Sequence, residues 1–140
     1  MKNGHAMVHY AGNEYFIGVP PSGHAIPLDI NGDRSSAAGP AELLLVALGA
    51  CTGADVISVL QKKREHVTDY RVEVRAERRE EYPRAFTKFE VRHIVRGHGV
   101  KAENVAKAVE LSINKYCSVA ATLRPSAEIV TSFEIQEELE

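Results

Sequence analysis

The chain has 140 residues, of which 44% are hydrophobic and 26% charged, a balance that suits one globular domain over residues 1–140 and excludes wholesale disorder. Its 17 basic and 19 acidic residues leave a net charge of −2, which gives no electrostatic reason to expect nucleic acid or an anionic membrane as partner. Two cysteines in a chain able to bury a sizeable core are not a secreted disulfide framework, so both thiols are expected to be reduced at rest.

In chain order, His5–Tyr10 and Glu14–Val19 read as strands around an Ala11-Gly12-Asn13 turn. Pro20-Pro21-Ser22-Gly23 makes a second turn, and Ala25–Ile30 a third strand. Asn31–Pro40 is a loop holding one charge of interest, Arg34. Ala41–Arg64 is the most helical stretch, with Glu42 in its first turn, where an acid suits the dipole. Its first half is apolar nearly all round, which predicts burial on most sides. Gly49 and Gly53 flank Cys51. Each glycine costs about 1 kcal/mol inside a helix, so either a partner helix packs closely there or the helix is interrupted.

Tyr70–Arg78 alternates cleanly, with Tyr70, Val72, Val74 and Ala76 on one face. Phe89, Val91, His93 and Val95 repeat the pattern beyond a turn at Tyr82-Pro83-Arg84. Lys101–Leu123 reads as a second long helix, ended by Pro125, and Ala127–Gln136 as a last strand. Runs of strands with two long helices make an α+β fold with antiparallel sheet. Two broadly apolar helices offer more apolar surface than one small sheet covers, which predicts burial against a second copy of the chain. The longest apolar run, Leu43–Leu48, falls well short of the roughly 20 residues that span a bilayer. Met1–His5 leads into alternation and not into an apolar stretch, so no secretory signal is expected and the location expected is cytoplasmic.

Chemistry concentrates on Cys51 and Cys117. If folding brings them together, they can cycle between dithiol and disulfide. Free cysteines also serve as small buried hydrophobes, and the residues alone leave both readings open. Metal binding has little support: there is no Cys-x-x-Cys, and no histidine stands at ligand spacing from either cysteine. His93, on the apolar face of its strand, reads as a core histidine.

The stretch Gly39-Pro40-Ala41-Glu42-Leu43-Leu44-Leu45-Val46-Ala47-Leu48-Gly49-Ala50-Cys51-Thr52 resembles the signature around the first cysteine of the OsmC/Ohr family, the osmotically inducible and organic hydroperoxide resistance proteins. Lys115-Tyr116-Cys117-Ser118-Val119 resembles the segment around that family's second cysteine. Tyr70–Val74, Phe86-Thr87 and Val105–Glu110 fit the same layout, so the resemblance covers nearly the whole chain. It implies an intertwined homodimer, with antiparallel sheets around two long central helices. It also implies a cofactor-free thiol peroxidase that reduces organic hydroperoxides. Cys51 would be oxidised to a sulfenic acid, Cys117 would condense with it to a disulfide, and an external dithiol would reset the pair.

A thiolate near neutrality needs a cation or directed donors. The resemblance supplies an arginine, oriented by a glutamate that matches Glu42. The hydroperoxide-resistance branch carries that arginine in its N-terminal strands, but this chain has none before Arg34. Arg34 is therefore the candidate, as in the osmotically inducible branch. Glu42 also reads as an ordinary first-turn acid, and Arg34 as an exposed loop cation. The alternative function on the same scaffold is a non-catalytic dimer that binds a small apolar molecule or senses oxidation through its thiols.

Overall fold

The computed structural model describes residues 4–139. It divides into two compact units, one ending at Leu44 and the other beginning at Leu45.

In the first unit, β1 (Met7–Gly12), β2 (Tyr15–Val19) and β3 (Ile26–Asp29) form an antiparallel sheet in the order β1-β2-β3. The first turn sits one to two residues later than the sequence suggests. Asn13 and Glu14 both adopt left-handed conformations, φ 51° and 63°, the requirement of a two-residue hairpin whose twist matches its strands. Met7, Val8 and Tyr10 are exposed, so this sheet buries little within its own unit. The loop after β3 is organised by Asp29, which is buried. Its carboxylate accepts from the amides of Asn31 (2.8 Å) and Ser36 (3.2 Å), and its own amide donates to the Ala38 carbonyl at 3.0 Å.

Helix α1 (Glu42–Lys62) follows. Its end is a complete Schellman motif: Glu65 N–H donates to the Leu60 carbonyl and Arg64 N–H to that of Gln61, each at 3.0 Å. Arg64 takes the left-handed position, φ 58°, that glycine usually fills. The most apolar 18-residue window of α1 has a mean hydropathy of 2.1, yet only 22% of it is buried. By length and composition α1 is able to cross a bilayer, which the short Leu43–Leu48 run does not reveal. The core helix of a globular protein meets the same criteria. Burial on most sides is not what the single chain achieves: Leu44 and Val46 are exposed. Nor do the glycines interrupt α1 or meet a helix. A Cβ at Gly49 would lie 3.2 Å from Val74 Cγ2, and one at Gly53 3.3 Å from Val72 Cγ2. They let α1 approach strand β4 closely.

In the second unit, β4 (His66–Arg78), β5 (Phe86–His98) and β6 (Glu128–Glu137) form a sheet in the order β4-β5-β6. β4 pairs with β5 antiparallel, but β5 pairs with β6 parallel, with His93 opposite Phe133. The expected all-antiparallel sheet is thus mixed. A parallel neighbour requires a crossover, and the segment between β5 and β6 supplies it. That segment is not one long helix as expected. α2 (Ala102–Leu111) runs into a π-helical turn, Ser112–Tyr116, then breaks at Cys117 before α3 (Ser118–Leu123).

Two apolar clusters fill this unit. One gathers Leu48, Phe89, Val91, Cys117, Ala120 and Ala127. The other gathers Val56, Leu60, Val95, Val105, Ala108 and Val109. A polar residue separates them along each element: Thr52 on α1, His93 on β5 and Ser112 after α2, all essentially fully buried.

Candidate active site

Cys51 lies mid-way along α1, half-buried; Cys117 is buried, with 3% of its surface exposed. Both are free thiols. The fold brings them together in the first apolar cluster, where Cys51 packs against the buried group that holds Cys117, close enough for the two thiols to influence each other. Only Cys51 has appreciable access to solvent, so an incoming molecule reaches its sulfur first.

The break at Cys117 has a clear cause. Its backbone is extended, φ −75° and ψ 102°, and its amide donates to the Ser112 carbonyl, five residues back, at 2.8 Å. A π turn frees one carbonyl of the ordinary ladder, and the Arg124 guanidinium takes it by donating to Ile113. Released from the helix, Cys117 caps α3, and its sulfur accepts from the Ala120 amide at 3.4 Å. Burial pushes the Cys117 thiol up to about 11, against the opposite pull of the Ala120 amide. Contact with Cys51 and the charge of Asp55 push the same way as burial. At neutral pH burial therefore holds it as the thiol.

Beside the thiols runs a polar chain, buried at Ser112 and Thr52 and half-buried at Asp55. Ser112 Oγ donates to Asp55 Oδ2 at 2.8 Å and lies 2.7 Å from Thr52 Oγ1. Ser112 spends its single proton on Asp55, so Thr52 must donate to Ser112. Nearby, the Tyr70 hydroxyl bonds His93 Nδ1 at 2.6 Å. Burial pushes the Tyr70 phenol up, with Asp55 adding to it, and pulls His93 down to about 4. His93 Nε2 is buried without a partner. An open groove of about 460 Å³ passes Asp55, Val59, Lys62, Leu111 and Tyr116. Among the described residues no three His, Cys, Asp or Glu side chains gather as metal ligands.

Arg34 and Glu42 form a second grouping, in the first unit. Both reach Gly39. The Glu42 carboxylate accepts from the Gly39 amide at 3.0 Å. The Arg34 guanidinium fills the space a side chain at residue 39 would need, and it donates to the Asn31 carbonyl. Arg34 itself is left-handed, φ 51°. Among the described residues no ion pair within 4 Å joins Arg34 to Glu42. Gly39 is the residue that sequence reasoning passed over. Its signal was present: a glycine immediately before Pro40 at the start of the motif.

The sequence pattern of OsmC-like protein matches residues 32–132. The chain belongs to this family. Protein YhfA of Escherichia coli strain K12 is 46% identical over 121 residues, 86% of this chain and 89% of that protein. The crystal structure of a hypothetical protein from Aquifex aeolicus VF5 superposes with a TM-score of 0.87 at 30% identity, covering 99% of this chain and 100% of that one. An organic hydroperoxide resistance protein from Elizabethkingia anophelis superposes with a TM-score of 0.66 at 14% identity, covering 99% and 98%. The last likeness is one of fold alone. This OsmC-like chain thus carries the family's mixed α+β architecture with two sheets, and its two cysteines meet inside it.

Proposed function

We propose that the protein is a cysteine-based peroxidase that reduces organic hydroperoxides. The observation that carries this reading is the contact between two free thiols from remote parts of the sequence, one reachable and one buried. Family membership supports a peroxide-related role. The Cys51 thiolate attacks the outer oxygen of the hydroperoxide, the O–O bond breaks, and the inner oxygen takes a proton and leaves as an alcohol. Cys51 is then a sulfenic acid. The Cys117 sulfur attacks it, water leaves, and a disulfide forms. An external dithiol returns both thiols by exchange. Arg34 and Glu42 keep, within this proposal, the roles of activating cation and its orienting carboxylate. The working unit is a homodimer, supported by the exposed apolar residues of α1 and of the first sheet.

The test is hydroperoxide consumption with a dithiol reductant. Cys51→Ser is expected to fall to the uncatalysed rate. Cys117→Ser is expected to give one turnover and then over-oxidation of Cys51, read by intact mass. An unchanged rate in Cys51→Ser removes the proposal. A redox sensor is the second reading, favoured by how strongly burial holds Cys117 protonated. It predicts one stoichiometric oxidation with no sustained turnover.

A further inference from the structure

Ser112 is bound in two directions at once. Its hydroxyl is tied to Asp55 and Thr52 on α1, the helix that carries Cys51. Its carbonyl holds the amide of Cys117. Ser112 and Thr52 are shut off from water, and their hydroxyls satisfy one another and Asp55, so no solvent partner competes for the bond between the two hydroxyls. The π turn begins at Ser112 and ends at the cysteine. Beyond that turn Cys117 leaves the helix for the extended backbone that caps α3.

We infer that Ser112, held by Asp55, is a positioning residue for the thiol pair: it fixes the Cys117 backbone to the helix that bears Cys51 and so sets how readily the two sulfurs join. Neither Ser112 nor Asp55 touches the reacting atoms through this role; each acts through the placement of Cys117. The inference rests on the reading of Cys51 and Cys117 as a redox pair, but it concerns geometry and needs no hydroperoxide.

The experiment equilibrates the full chain with glutathione disulfide and reduced glutathione. One protein thiolate attacks glutathione disulfide, releases one glutathione thiolate, and forms a mixed disulfide. The second protein thiolate then displaces the other glutathione. Two protein thiols are oxidised, one glutathione disulfide is reduced, and the two protons pass to the released glutathiones. The equilibrium constant reports the effective concentration of the pair. Asp55→Ala and Ser112→Ala are each expected to lower it tenfold or more. Asp55→Asn, which keeps an oxygen able to accept from Ser112, is expected to stay within threefold of wild type. A purely structural role lowers the thermal midpoint and leaves the constant in place. Should Ser112→Ala not fold, Asp55→Ala decides alone, since that position is half-buried, lines the open groove, and gains helix propensity. Constants within threefold of wild type in the alanine variants overturn the positioning role and leave the redox pair standing. A wild type that stops at the mixed disulfide overturns both.

Discussion

The two apolar clusters of the second unit draw on the same helix α1 and the same strand β5, yet they are built for different ends. The buried members of the Val56–Leu60–Val95–Val105 cluster are all aliphatic, and α2 covers it as regular helix. The Leu48–Phe89–Val91 cluster holds both sulfurs, and there the helical chain is widened into a π turn, broken and restarted. Between them stand Thr52, His93 and Ser112, one from each element. Regular helix suffices to hold a dry core together. Bringing Cys117 out of the helix takes a departure from regularity, in which the freed Ile113 carbonyl finds the Arg124 guanidinium.

If this division is sound, damage to the aliphatic cluster costs stability and spares thiol chemistry. Leu60→Ala is expected to lose about 3 kcal/mol of unfolding free energy in urea, with the glutathione exchange constant unchanged. A shift in that constant would mean that the clusters are coupled. The polar divide itself responds to acid. His93 titrates near 4 when folded and near 6.5 when unfolded. As pH falls, the unfolded chain takes up the proton first. The stabilisation is therefore complete above 6.5 and is lost progressively towards 4. Between pH 7 and 4.5 about 2–3 kcal/mol should disappear, and His93→Gln should lack that part of the slope. The smallest effect is expected from Tyr70→Phe. It strips His93 Nδ1 of its partner and should cost about 1–2 kcal/mol by thermal unfolding. A neutral result would show that the ring nitrogen finds another partner and that the divide is not a rigid one.

The alternation of Tyr70–Ala76 and Phe89–Val95 was readable because period two admits no other structure of that length. The mixed sheet was not, because local pattern carries no information on the direction of a neighbour three elements away. The break before Cys117 escaped for a related reason. Ser112-Ile113-Asn114-Lys115-Tyr116 contains no glycine or proline to announce a break. Cys51 and Cys117 stand out as the chain's two thiols and the motif likeness pairs them, but their proximity is a property of the fold. Asp55 and Ser112 went unassigned as partners because their bond joins positions remote in the chain. Glycines 49 and 53 were legible as a demand for close packing, but not as to what would pack there.

Those two glycines bear on the sulfur chemistry without taking part in it. The gap between α1 and β4 is thin because hydrogen atoms stand where methyl groups would meet Val72 and Val74. Layer thickness, ordinarily a property of the scaffold, here governs the depth at which the Cys51 sulfur is seated. A residue with no functional group thereby helps decide what can reach Cys51.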